Sequence, residues 1–229
     1  MIRRSTGSMW IATLCVAASI GCRSMSWPQF WPFPERERTT YHVPTMRIDA
    51  VKAFATRSTG LDSPEQRELT DQLARQIQIE PDPLVREAVI TAIGEYRTPM
   101  ASQVLEAGLA DENRAVRIAS CRALGRRGEA SSVASLAQTL RSDEEIDVRM
   151  AAAEALGHID SPEAVQALAV ALDDRDPAMQ YVGVQSLKAI TGLEYGGDVK
   201  LWRQVAAGER PPEPPAPSLA ERVRSASPF

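Results

Sequence analysis

Residues 143–157 read DEEIDVRMAAAEALG, an acidic turn followed by apolar residues at Val148, Ala151, Ala152, Ala155 and Leu156. These positions fall at i, i+3, i+4, i+7 and i+8, so their side chains share one side of an α-helix. That side is built mostly from alanine, which lets a second helix approach closely. The pattern recurs over 82–94 (DPLVREAVITAIG), 111–125 (DENRAVRIASCRALG) and 174–188 (DRDPAMQYVGVQSLK). Its first apolar positions, Val85, Val116, Val148 and Met179, are separated by steps of 31, 32 and 31 residues. Arginine follows in three copies (Arg86, Arg117, Arg149) and Gln180 in the fourth. A fixed period of this size predicts stacked units, none of which can bury its apolar face alone.

Each copy is preceded by another helical stretch. The pattern predicts helices over Thr45–Thr56, from Pro64 to Pro81, and over Pro83–Tyr96, Met100–Leu109 and Asn113–Leu124. Further helices are predicted over Ser131–Leu140, Glu144–Leu156, Glu163–Leu172 and Pro177–Thr191. Ser63-Pro64, Thr98-Pro99 and Ser161-Pro162 open three of them, with a hydroxyl at the N-cap and proline at the first helical position. Gly157 reads as a terminator in the left-handed conformation that ends many helices. Alternation of apolar and polar residues, the mark of a strand, is absent. The predicted fold class is all-α: an α-solenoid of helical hairpins over 45–192, a short capping helix within 193–208 (Val199–Val205, with Leu201 and Trp202 closing the end) and a disordered proline-rich tail over 209–229.

Paired helices of about this length carrying Asp-…-Val-Arg-x-x-Ala-x-x-Ala-Leu-Gly resemble the short bacterial HEAT-like repeat, also found in the repeats of phycobilin lyases. The resemblance covers roughly 47–192 and implies fold more than function. It also implies that the recurring Asp and Arg (Asp111, Arg117, Asp143, Arg149) form a polar ladder between repeats, so these arginines are structural. The fourth copy departs, with Gln180 for Arg and Lys188 for Gly, and its helix is expected to run on to about Ile190 before turning at Gly192.

The N-terminal stretch changes the picture of where the chain works. Arg3 and Arg4 precede an apolar run of 12 residues, Met9–Ile20, the outline of a secretory signal. The run is shorter than the ~20 residues that span a bilayer. Ser19-Ile20-Gly21-Cys22 resembles a bacterial lipobox, although Ser19 stands where a Leu-like residue is usual. The expectation is a signal over 1–21, lipidation at Cys22, and a tether over 22–44. Trp27, Phe30, Trp31 and Phe33 in that tether suit a membrane interface or a cap on the first repeat. Location is expected in a bacterial cell envelope, lipid-anchored and facing the periplasm.

Composition then removes several chemistries. A net charge of −4 argues against a nucleic-acid partner. Arg122, Arg126 and Arg127 form the one basic cluster and read as a solvated face. With His42 and His158 the only histidines, no metal-ligand spacing exists. Helical-repeat hydroxylases resembling deoxyhypusine hydroxylase hold iron with His-Glu pairs, and no such pair occurs here. Cys121 reads as a small apolar core residue. Gly192, Gly196 and Gly197 lie in turns and not in a phosphate loop. No cofactor and no catalytic set are expected.

What remains is binding. Two residues past the first apolar position a side chain points about 200° away from it, at about 100° per residue. That column reads Glu87, Ile118, Met150, Tyr181. Five residues past it the column adds Cys121 and Val184, and six past it Arg122, Glu154 and Gln185. In HEAT-like arrays the second helices line the concave side, so these residues are the expected contact surface for a protein partner. The alternative is a bilin-lyase-type subunit that holds a tetrapyrrole near Cys121 and Arg122.

Overall fold

The computed structural model describes residues 44–55 and 63–212. The expected signal, Cys22, the tether up to 43 and the tail from 213 lie outside the described residues. The helices are α1 (Pro44–Ala55), α2 (Pro64–Ile79), α3 (Pro83–Ile93), α4 (Pro99–Gly108), α5 (Arg114–Arg127) and α6 (Val133–Ser142). They continue as α7 (Ile146–Leu156), α8 (Pro162–Ala167), α9 (Ala169–Leu172), α10 (Pro177–Thr191) and α11 (Val199–Ala206). No strand occurs among the described residues, and no helix there is long and apolar enough to cross a membrane.

Two layers result. Helices α1, α3, α5, α7 and α10 stack in sequence as one layer. The other layer holds α2, α4, α6, the α8–α9 pair and α11. The molecule is an all-α solenoid, and its core lies between the layers. Val85, Val116, Val148 and Met179, the first apolar residue of each repeat, are fully buried there. Burying each such side chain contributes about 1.5–3 kcal/mol before entropy is counted.

Helix starts follow two local rules. Where Ser or Thr precedes proline, the hydroxyl accepts from the amide three residues on: Ser63 from Gln66, Thr98 from Ala101 and Ser161 from Ala164, each at 3.1 Å. Helices α3, α5 and α10 start from Asp82, Asn113 and Asp176, whose side chains accept from the amide two residues on, as Asp82 does from Leu84 at 2.9 Å. Both satisfy amide donors that the first helical turn leaves orphaned.

The repeat glycines have a different role from the one expected. Gly157 is right-handed (φ −61, ψ −15), not left-handed. Its missing side chain is what matters, because a Cβ there would lie 2.8 Å from Ser186 Cβ on the next helix of the layer. A Cβ on Gly125 would lie 2.8 Å from Ala155 Cα, and one on Gly94 2.9 Å from Ala123 Cβ. Each glycine therefore seats the following helix at close range. Helix α5 consequently runs through Gly125 and ends at Gly128, which does take φ +66. Among the described residues the fourth repeat has no further helix of its own layer to seat, so Lys188 is tolerated at this position and pairs with Glu194 at 2.6 Å. As expected, α10 runs on, here to Thr191, and turns at Gly192 with φ +66.

The polar ladder is present. Arg117 Nε and Nη2 donate to the two carboxylate oxygens of Asp143 at 2.8 and 3.0 Å, while its Nη1 donates to the Asp111 and Glu112 carbonyls. Arg86 grips Asp111 in the same bidentate manner, at 2.9 Å for both bonds. These bonds to Asp111 and Asp143, against a smaller opposing effect of burial, raise the already high pKa of both guanidinium groups. Each aspartate also accepts from the amide two residues on, Asn113 and Glu145 respectively, and so orders the turn. Rungs loosen towards both ends. Arg47 meets Glu80 at 3.1 Å, and Arg149 lies 3.9 Å from Asp174. Gln180 keeps only the carbonyl half of the motif, to Asp174 at 2.8 Å.

Helix α11 closes the C-terminal end. Trp202 is fully buried, meets Tyr195 edge-on with ring centroids 5.5 Å apart, and donates from Nε1 to the Gly196 carbonyl at 2.9 Å. Arg203 ties the helix back to Asp173 and to the Leu172 carbonyl, both at 2.7 Å. Leu201 packs half-buried against the core beside it.

Candidate functional site

The face presented by α1, α3, α5, α7 and α10 is where the repeat pattern aligns equivalent side chains. Six residues past the first apolar position, Thr91, Arg122, Glu154 and Gln185 are all exposed, as expected. Two residues past it, Tyr181 is 64% exposed. Ile118 and Met150 differ from the expectation: both are half-buried and pack against the core. The column five residues past is not surface at all. Cys121 and Val184 are buried, as are Ile90 and Ala153 above and between them.

The reason is the facing layer of the neighbouring hairpin. A helix inside the array is covered by that layer as well as by helices of its own, so its apolar arc is wider than one contact would require. Ile90 shows where such a residue goes: its Cδ1 lies 2.9 Å from where a Cβ on Gly108 would sit, in helix α4 of the next hairpin. Tyr181 escapes because α10 is the last of its layer among the described residues.

Two clefts indent the face. One, of about 450 Å³ between α1 and α3, is lined by Ile48, Leu84, Ala88 and Ala92 with Lys52 and Glu87 at its edges. The other, of about 230 Å³ between α7 and α10, is bounded by Tyr181, Gln185, Ser186, Ala189, Glu154 and His158. Leu84, 57% exposed, was not singled out by sequence. A signal existed, since Leu84 lies three residues before Glu87 and shares its side of the helix.

Charge on the face alternates by helix. Glu87 and Glu95 lie on or just beyond α3, Arg114, Arg122 and Arg126 on α5, and Asp147 and Glu154 on α7. Arg114 meets Asp147 at 3.4 Å and Arg126 meets Glu95 at 3.8 Å. Exposed pairs like these contribute about 0–1 kcal/mol and mainly set local polarity. The third arginine of the sequence cluster is not solvated. Arg127 is buried, donating to the Tyr96 carbonyl, to Ser102 Oγ at 2.7 Å and to Glu129 at 2.6 Å. It is an inter-repeat clamp.

Cys121 bears on the tetrapyrrole alternative. It is fully buried, and desolvation, the largest cause, pushes its thiol from 9.0 up to about 12. The native protein therefore holds a neutral thiol, and a bilin cannot reach it. Alkylation of the folded chain at pH 8 is expected to be negligible, and complete in denaturant. Because the unfolded thiol ionises first, this residue's contribution to stability is full below pH 9.0 and lost as pH rises towards about 12. Chemical denaturation of the native chain and a Cys121→Ala variant between pH 8 and 11 checks the sign: the wild-type advantage should shrink as pH rises.

Among the described residues no group of three or more His, Cys, Asp and Glu side chains has metal-binding geometry. Comparison with known proteins fits the architecture. Residues 104–188 match the family model for HEAT repeats. The solved structure of human deoxyhypusine hydroxylase in complex with glycerol superposes with a TM-score of 0.50 at 26% identity, over 54% of this chain and 43% of that one. The chain thus spans less than half the length of that enzyme. No curated protein sequence matches significantly.

Proposed function

We propose that this HEAT-like repeat protein is a non-catalytic, protein-binding scaffold. In this reading it is carried to a bacterial envelope by its N-terminal signal, anchored through a lipid on Cys22 and displayed on the periplasmic side. The observation that carries the binding role is the face of the α1, α3, α5, α7 and α10 layer. It presents the exposed ring of Tyr181 beside Gln185 and Glu154, with Arg122 on the next helix but one, on helices interlocked by the glycine contacts and the arginine ladder. An exposed aromatic residue among polar side chains on a rigid frame suits capture of a protein segment, since little order is lost on binding. The likeness to deoxyhypusine hydroxylase supports the fold. Its activity is not carried over, because this sequence has only His42 and His158 and lacks any His-Glu pair.

The test separates surface from core. Tyr181→Asp combined with Arg122→Glu changes only exposed side chains, so far-UV circular dichroism and Tm should stay near wild type. Affinity capture from native envelopes, with bound material identified by mass spectrometry, should lose its partner in this variant. Retention of the same partner by the double variant rules out this face. Met150→Asp is unsuitable as a probe, because Met150 packs against the core and its loss would unfold the surface being tested.

A further inference from the structure

The layer opposite the Tyr181 face is not closed evenly. Helix α2 packs on α4, and α6 on α8, whereas α4 and α6 hardly touch. The connection into α6 is what differs. Thr98-Pro99 and Ser161-Pro162 lead straight into α4 and α8, but α6 follows Gly128, at φ +66, and a turn of 3₁₀-helix over Ala130–Ser132. Glu129 in this connection accepts from Ser102 of α4 at 3.0 Å and from Arg127 at 2.6 Å, which ties the entry of α6 to the first turns of α4. Past the other ends of the two helices, Arg117 joins the Asp111 carbonyl to the Asp143 carboxylate. With both ends fixed, the gap between them is a preformed cleft of about 740 Å³.

Its lining says what fits. Leu109 and Ala110 face Ala134 across the gap, and Ser135, Gln138 and Ser142 run along the same side of α6 as hydrogen-bonding groups. Small side chains let a backbone come close. The charges are unbalanced. Asp111 and Asp143 are held by Arg86 and Arg117, but the side chains of Glu106 and Glu144 have no ion pair or hydrogen bond among the described residues. Arg141, also on α6, donates to Gln138 at 3.4 Å and does not line the cleft. From Ala134 to Ser142 the helix rises about 12 Å, at about 1.5 Å per residue. An extended chain of about four residues, at about 3.3 Å each, covers that length. We propose that this cleft is a second docking site, and that it takes an extended basic segment of a partner protein. Lysine or arginine side chains of the segment meet Glu106 and Glu144, and an apolar neighbour rests on Leu109 and Ala134. The site lies on the other layer from Tyr181, so it is independent of the scaffold reading and can be filled while that face is occupied.

The probe is a phage-displayed library of random heptapeptides, panned against the full-length protein. Enriched peptides are then synthesised and their affinities measured by fluorescence anisotropy. The expected peptides carry lysine or arginine beside an apolar residue and bind more weakly as salt is raised. Glu106→Gln combined with Glu144→Gln should weaken them about tenfold, the worth of two exposed ion pairs. Ala134→Arg, which brings a cation into the cleft from an exposed position, should abolish binding, with circular dichroism confirming that both variants are folded. The Tyr181→Asp/Arg122→Glu protein should bind the same peptides as wild type does. Absence of enrichment, enriched peptides without a basic residue, or affinities untouched by the glutamate changes would overturn the proposal. Basic peptides lost only with Tyr181→Asp/Arg122→Glu would overturn it too, by placing them on the opposite face. Concentration-dependent dimerisation that the glutamate variant abolishes would assign the cleft to a second copy instead. Because capture on the Tyr181 face is read separately, each of the two sites stands or falls on its own result.

Discussion

Replacing Arg117 with alanine is expected to lower stability by about 3–5 kcal/mol, the largest loss of any single substitution on the ladder. Two effects combine. The Asp143 carboxylate, with its side chain only 9% exposed, is left without its bidentate cation. The Asp111 and Glu112 carbonyls lose the donor that closes the preceding turn. Removing one partner of a buried pair costs more than the pair itself contributes, because the remaining charge stays desolvated. Arg149→Ala should cost clearly less, about 1 kcal/mol, since its contact with Asp174 is 3.9 Å and both side chains are about a quarter exposed. Urea denaturation of the two variants decides the matter through the order of their midpoints. If Arg149→Ala proved as costly as Arg117→Ala, the ladder would not be the source of the difference.

Gly125→Ala should destabilise by about 1–3 kcal/mol although it improves helix propensity. The new methyl would stand 2.8 Å from Ala155 Cα and 3.2 Å from the Ala155 carbonyl, so it meets backbone that no rotamer change can move away. The cost is paid by spreading α5 from α7, which weakens packing across the whole repeat junction. Gly192→Ala is the informative contrast. Nothing lies within 4 Å of its Cβ, yet φ is +66, so its cost, about 1–2 kcal/mol, comes from backbone strain alone. Ala155→Gly removes only the third close contact, 3.0 Å to the Ala155 Cβ, so it should rescue Gly125→Ala by the smaller part of its cost and leave Gly192→Ala unaffected, as a double-mutant thermal series would show.

Helical class and repeat period were legible from the chain because each depends on local spacing, whereas the ladder was legible only through the resemblance to HEAT-like repeats. Val85, Val116, Val148 and Met179 fall at repeat distances, and helical geometry alone puts them on one side. The Ser-Pro and Thr-Pro starts were equally readable, since a cap involves only the next few amides. Tyr181, Arg122, Glu154 and Gln185 came out exposed for the same reason: they lie opposite the apolar arc.

The remaining features depend on neighbours that a single helix does not specify. Cys121 and Val184 sit at angles that are solvent-facing in one hairpin and enclosed once hairpins stack. Arg127 looks like one of three surface arginines in sequence, yet the fold turns it onto the Tyr96 carbonyl and Ser102 from the previous hairpin. The repeat glycines read as helix stops because glycine favours left-handed turns, whereas Gly157 is needed for the close approach of Ser186. The sequence by itself therefore determined which residues share a helix side, and hence the solenoid and its period. Only the tertiary structure decided which of those sides meet water, because in a repeat array burial depends on the helices flanking each element, and the last element has one flank fewer.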